Sequence, residues 1–248
     1  MQPLTVRGVT FGAQPTKIAV PLVGTTRDDI LAQAAALKTL GVDLAEWRAD
    51  FYDRLCDEAA LCDTLRALRD ALGDTPLLFT IRTRREGGAA DLAPARYASL
   101  TLLAAQSGSI DLADVELSLG ETAARSLIDG IHAAGCLAIG SRHDFAATPP
   151  PDVLLAYLRE ARRLGADIPK LAVMALSDAD ALALLNAAAA YRLEADRPYI
   201  AISMGRCGVV TRLACRLSGS CLTFAAMEQG SAPGQLPAAR VRELLEIL

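Results

Sequence analysis

Lysine is nearly missing from this chain. Three lysines (Lys17, Lys38, Lys170) stand against twenty-two arginines in 248 residues, so almost every surface cation is a permanently charged guanidinium. Histidine is scarcer still, with His132 and His143 the only two, which leaves few side chains that titrate near neutral pH. A net charge of -4 lacks the basic excess of a nucleic-acid surface. The six cysteines (Cys56, Cys62, Cys136, Cys207, Cys215, Cys221) lack the CxxC spacing of zinc sites. They are expected as reduced, mostly buried thiols of a cytoplasmic protein. No apolar run reaches membrane-spanning length, and the start, MQPLTVRGVTFG, has no cationic segment followed by a long apolar one. Neither export nor a transmembrane helix is expected. No linker, low-complexity segment or composition break divides the chain, so residues 1–248 are expected to form one domain.

What is present is a repeating strand and helix pattern. Apolar strand-like runs fall at residues 17–24, 42–50, 76–82, 110–117, 136–143, 168–174, 199–204 and 221–226. Helical stretches follow them, near 57–72, 94–107, 121–134, 151–165, 178–192 and 207–217, with a last one from about 237. After the first strand, Thr26 or Thr25 can cap a helix that Gly41 ends. The stretch 207–217 is the weakest, being short and carrying Gly208. Eight such units with right-handed crossovers favour a closed α/β architecture, a parallel (β/α)8 barrel of the TIM type, over an open sheet. LTVRGVTFG, residues 4–12, alternates around a glycine and reads as a hairpin ahead of the barrel.

Lys170 is the anomaly in this pattern. It lies inside the apolar run IPKLAVM, residues 168–174, where strand alternation puts it on one face with Ala172 and Met174, and Leu171 and Val173 on the other. A chain that uses arginine nearly everywhere keeps here the one cation able to lose its proton and attack a carbonyl. The other reading is a lysine at a strand mouth that snorkels to solvent.

Polar residues recur at the C-terminal strand ends, where such barrels carry their chemistry. Glu46 and Arg48 end the second strand, and Arg82 the third, with Glu86 and Gly87-Gly88 after it. Glu116 ends the fourth strand and His143 the fifth, and the loop GSAPGQ, residues 230–235, follows the eighth. Singly, each could be a rim salt bridge; together they surround one mouth. His132 lies in a helical stretch and reads as an outer-surface residue, whereas His143 can move a proton in either direction. An amine on one strand beside an imidazole on the next suits proton abstraction next to a carbonyl held as an imine. Arginines and a Ser/Gln loop suit an anionic, hydroxylated substrate. For the amine to attack at neutral pH the barrel must depress its pKa, with help from Arg48 and Arg82 if they lie close.

The segments EWRADFY (46–52), IRTRREGG (81–88), SRHDFAATPP (141–150), DIPKLAVM (167–174), SMGRCGVVTRL (203–213) and GSAPGQ (230–235) resemble, in this order, those of the type I 3-dehydroquinate dehydratases. The resemblance runs over nearly the whole chain. It implies a Schiff-base lyase of the shikimate pathway that turns 3-dehydroquinate into 3-dehydroshikimate. Lys170 matches the lysine that forms the imine with the C3 ketone. His143 matches the acid/base that removes a C2 proton and helps the C1 hydroxyl leave, and Glu86 the carboxylate that orients it. Arg212 matches the arginine that binds the substrate carboxylate, with Ser231 and Gln235 in the loop that closes over it. Glu46, Arg48 and Arg82 match the polar group around the ring, and Met204 a methionine of the pocket wall. It further implies no metal or other cofactor, a homodimer, and a hairpin that covers the bottom of the barrel. Departures are few: Arg142 beside the histidine, with a parity that points it away, and Arg206 and Cys207 after the seventh strand.

Two other readings stay open on the residues alone. A class I aldolase on the same barrel also needs a lysine imine, and GSAPGQ could then hold a phosphate. A catalytically silent barrel serving as ligand sensor is the other, although it would be free to lose any one of His143, Glu86, Lys170 and Arg212.

Overall fold

The chain opens with β1 (Leu4–Val6) and β2 (Val9–Phe11) and continues with β3 (Lys17–Leu22), α1 (Arg27–Leu40), β4 (Leu44–Arg48), α2 (Glu58–Leu72), β5 (Leu77–Thr80) and α3 (Pro94–Gln106). Then come β6 (Leu112–Glu116), α4 (Glu121–Ala133), β7 (Leu137–Asp144), α5 (Pro151–Arg163), β8 (Ile168–Met174) and α6 (Asp178–Glu194). Last are β9 (Ile200–Met204), α7 (Gly205–Leu213), α8 (Cys215–Ser218), β10 (Leu222–Phe224) and α9 (Ala238–Ile247). The computed structural model describes residues 1–227 and 231–247.

β3 to β10 form one parallel sheet in the order β10-β3-β4-β5-β6-β7-β8-β9. The ends meet at a seam without a regular ladder. There the Cys221 N–H donates to the Tyr199 carbonyl at 2.8 Å, and the Ser220 hydroxyl accepts the Ala201 N–H at 3.2 Å. The result is a nearly closed (β/α)8 barrel, as the strand and helix spacing predicts.

Alternation sorts the strand residues into two cores. Ala19, Leu44, Leu78, Leu112, Ile139, Ile168 and Ile200 pack inside the barrel. Their neighbours Ala45, Trp47, Phe79, Ala113, Val115 and Ala138 pack outwards in the helix layer, as do Leu171, Val173 and Ala201 around β8 and β9. The parity assigned to Lys170 therefore holds, because Leu171 and Val173 face the helices.

The hairpin closes the N-terminal end. Arg7 and Gly8 both take positive φ (45° and 81°), the backbone of a two-residue turn whose twist matches the flanking strands. Phe11 is fully buried in the inner core, with Leu4, Val6 and Val9 against it, and Arg7 Nε donates to Asp111 at 2.6 Å. Apolar side chains thus plug the bottom and leave the other end open.

Local signals set most helix ends. Thr26 accepts the Asp29 N–H ahead of α1, and Gly41 ends that helix at φ 58°. Ser177 and Asp180 form a reciprocal capping box at α6. The expected helix 207–217 differs. It starts two residues earlier, at Gly205, and breaks at Ala214, whose ψ of 28° leaves the helical region. Gly208 belongs inside α7 because a Cβ there would lie 2.5 Å from the Ser203 carbonyl, so only glycine permits this close approach to β9. Among the described residues no helix is long and apolar enough to cross a membrane.

Candidate active site

Two residues further along each of β4 to β8, the inner face turns polar. Leu44 is followed by Glu46, Leu78 by Thr80, Leu112 by Asp114, Ile139 by Ser141 and Ile168 by Lys170. Strand period two makes this step one side-chain layer. On β9 and β10 the same layers stay apolar, with Ile200, Ile202 and Met204 and then Leu222 and Phe224. The mouth has a charged wall and an apolar wall.

Arg82 organises the charged wall. Its guanidinium, 4% exposed, lies 2.9 Å from Asp114, 2.8 Å from Glu116 and 3.5 Å from Glu86. Burial opposes its charge, but those three carboxylates raise its pKa well above the ordinary arginine value. Burial likewise works against the Asp114 carboxylate, yet Arg82 and then Lys170 hold its pKa well below the usual range. Glu86 and Glu116 are both raised, first by burial, with Arg82 opposing. Three buried acids share one guanidinium, so they cannot all ionise at ordinary values. Arg48 is held separately by a bidentate pair with Asp50, at 2.8 Å for both bonds.

Lys170 sits where the two walls meet. Its Nζ is 3.3 Å from Asp114 Oδ2 and 3.9 Å from Glu46 Oε1, and it stands 4.5 Å from the centre of the Phe224 ring. The side chain is only 5% exposed, which excludes the snorkelling alternative.

His143 lies on the next strand, paired in register with Ala172. Glu86 Oε2 takes both its backbone N–H, at 3.0 Å, and its ring Nδ1, at 2.8 Å. An oxygen that accepts from both fixes Nδ1 as the protonated nitrogen and leaves Nε2 as the basic one. Burial, and then the charges of Arg82 and Lys170, push the His143 pKa well below its ordinary value, with Asp114 opposing. At neutral pH the ring is therefore neutral and able to take a proton. The loop carrying Glu86 folds back because glycine follows: a Cβ on Gly87, at φ 78°, would lie 2.3 Å from the Phe145 ring.

Arg212, from α7, reaches the apolar wall and is 1% exposed. Its two terminal nitrogens donate to the carbonyls of Phe224, at 3.4 Å, and Pro233, at 3.0 Å. Its Nε is buried without a partner among the described residues. Burial alone brings its pKa down to about 10. No carboxylate among the described residues pairs with it, so its charge is available to an incoming anion. Beside it, the Ser231 N–H donates to Gln235 Oε1 at 2.7 Å, and Gln235 Nε2 donates to the Ser231 hydroxyl at 3.2 Å.

One cavity brings together Lys170, His143, Glu86, Glu46, Arg48, Arg82, Arg212, Ser231, Gln235 and Met204. Glu116, also expected at the mouth, does not line it, because its carboxylate is taken up by Arg82 and by the backbone and hydroxyl of Thr83. Gly230 of the GSAPGQ segment lies outside the described residues. Asp114 was missed. It shares a face with Leu112 and Glu116, and that parity was the available signal. The expectation that Arg48 and Arg82 free the Lys170 amine meets another arrangement, since carboxylates neutralise both guanidinia. Arg142 points outwards as its parity requires, 4.6 Å over the Tyr157 ring of α5. All six cysteines are free thiols, but only Cys136, Cys215 and Cys221 are buried, because Cys56, Cys62 and Cys207 lie on outer turns and helix faces. Among the described residues no group of three or more His, Cys, Asp or Glu is placed to hold a metal ion.

The family model described as type I 3-dehydroquinase matches residues 18–248. The 3-dehydroquinate dehydratase of Syntrophotalea carbinolica is 44% identical over 249 residues, spanning 100% of this chain and 98% of that protein. The crystal structure of 3-dehydroquinate dehydratase from Geobacillus kaustophilus superimposes with a TM-score of 0.97 at 40% identity, covering 100% of this chain and 96% of that one. The type I 3-dehydroquinate dehydratase of Clostridium difficile, solved with covalently modified comenic acid, gives 0.96 at 36% identity, covering 99% and 97%. Similarity on this scale runs the length of the barrel and takes in both walls of its mouth, and this chain belongs to the type I 3-dehydroquinase family.

Proposed function

We propose that the chain dehydrates 3-dehydroquinate to 3-dehydroshikimate through an imine on Lys170. The observation that carries this reading is the buried amine beside a neutral imidazole whose Nδ1 is held by Glu86. The Lys170 amine, once deprotonated, adds to the C3 ketone, and the carbinolamine loses water to give a protonated imine. His143 Nε2 takes a proton from C2, and the C–H electron pair moves into the C2–C3 bond as the iminium becomes an enamine. The same proton then leaves with the C1 hydroxyl as water, in a syn elimination, while the enamine electrons form the new double bond and restore the iminium. Water hydrolyses that iminium and frees the amine.

Glu86 holds the imidazole tautomer, and Arg212 takes the substrate carboxylate with Ser231 and Gln235. Arg48, Arg82 and Glu46 border the ring hydroxyls and carbonyl, and Met204 lines the wall. This assignment needs no metal or other cofactor. The chain acts as one catalytic domain over residues 1–248, as a homodimer in the cytoplasm, in the shikimate route to chorismate and the aromatic amino acids.

The test is borohydride reduction in the presence of 3-dehydroquinate, followed by peptide mass spectrometry. A stable adduct on Lys170 is expected. Folded protein that gives no adduct would overturn the imine and direct the search to other carbonyl substrates, sugar phosphates first.

A further inference from the structure

Lys170 has two different neighbours on its two sides. Asp114 Oδ2 lies 3.3 Å from Nζ, and the Phe224 ring centre 4.5 Å from it. The ring is almost wholly buried, at 5% exposure, and borders the same cavity as the amine. An aromatic face carries negative potential and attracts a cation, most strongly where water is excluded. The backbone of the same residue accepts from Arg212 at 3.4 Å. One residue therefore touches both the amine and the guanidinium of the apolar wall.

We propose that Phe224 is a positioning residue that holds the nitrogen of Lys170 as positive charge develops on it during imine formation. This rests on the imine reading above. The attacking amine and the carbinolamine are neutral at that nitrogen, whereas the iminium carries a positive charge there, so the ring's attraction grows as the C=N bond forms. A carboxylate on that side would hydrogen-bond the amine N–H groups and compete with the incoming carbonyl. The ring gives an attraction of similar direction without an acceptor atom, so the nitrogen keeps its place while the C=N bond forms on it. The link from the Phe224 carbonyl to Arg212 then fixes the spacing between the group that bonds the ketone and the group that takes the carboxylate.

The experiment replaces Phe224 in the full chain by mono-, di- and trifluorophenylalanine, which keep the ring's shape while withdrawing its π charge. Rapid borohydride quench measures the rate at which adduct forms on Lys170. A stepwise fall with each fluorine, roughly 2- to 30-fold across the series, is expected, at unchanged melting temperature. Phe224→Leu should fall at least as far as the trifluoro variant. A wild-type protein that traps substrate and a fluorine series that stays flat would overturn the role of Phe224 alone. A wild-type protein that traps nothing would overturn this proposal together with the imine.

Discussion

Arg82 and Arg212 face the same cavity, both nearly inaccessible to water, in opposite surroundings. Arg82 lies within 3.5 Å of three carboxylates, and its charge is fully committed. Arg212 touches only neutral carbonyls and keeps an unpaired Nε among the described residues. The pKa directions say the same: the first guanidinium is raised by its acids, and the second is lowered by burial with nothing to oppose it nearby but a thiol. A buried, uncompensated charge costs stability unless a partner arrives. Arg82 is thus part of the frame, whereas Arg212 keeps a charge that no acid among the described residues pairs, and in the proposed mechanism that difference orients the carboxylate end of the substrate.

The contrast can be broken most severely where the two walls meet. Lys170→Ala should lower turnover by more than about ten-thousandfold, since no other amine among the described residues borders the cavity, and should abolish borohydride trapping. Near-normal activity in that variant would mean that the charged wall works by another route. Next in size, Arg82→Met leaves three buried acids without their cation and should cost about 3–5 kcal/mol in urea denaturation. A loss near zero would show that Glu86, Asp114 and Glu116 sit there protonated.

Arg212→Met sharpens the comparison from the other side. It should raise KM roughly 10- to 100-fold through loss of a charged hydrogen-bond partner, while stability changes by less than about 1 kcal/mol. Equal destabilisation in the Arg82 and Arg212 variants would erase the distinction between the paired and the unpaired guanidinium. The smallest effect is on pH. Because the His143 pKa is lowered, its basic form survives below the ordinary histidine value, and the acid limb of kcat/KM should lie below about pH 6.5. Stability follows the same sign: as pH falls beneath about 6.5 the unfolded chain takes the proton first, so this contribution is complete above that pH and is lost below it. An acid limb at or above the ordinary value would mean that neither burial nor the charges of Arg82 and Lys170 lower the ring's pKa in solution.

Much of the barrel was legible because alternation in a strand is a strong local constraint. Lys170 with Leu171 and Val173 behind it, and Arg142 turned away from His143, followed from parity alone. The helix over 207–217 was less legible. Its start at Gly205 and its break at Ala214 depend on how closely α7 packs on β9, which Gly208 permits but does not announce. Asp114 escaped notice for a related reason. Attention to strand ends favours Glu116 and Arg82, while a carboxylate in mid-strand looks out of place until the cations on either side of it are known.

By itself, then, the order of residues determined the eight strand and helix units, the inward face of each strand, and a lysine and a histidine on adjacent strands near one mouth. Which side chains meet across that mouth was decided only by the tertiary structure. Parity says which way a side chain points but not how high it stands relative to its neighbours, and that height comes from the stagger between strands. Arg82, just past the end of β5, and Asp114, in the middle of the neighbouring β6, meet at 2.9 Å because of that stagger. The same arrangement leaves Arg212 with no acid among the described residues, only the carbonyls of Phe224 and Pro233, and this separates an arginine held by acids from one that is not.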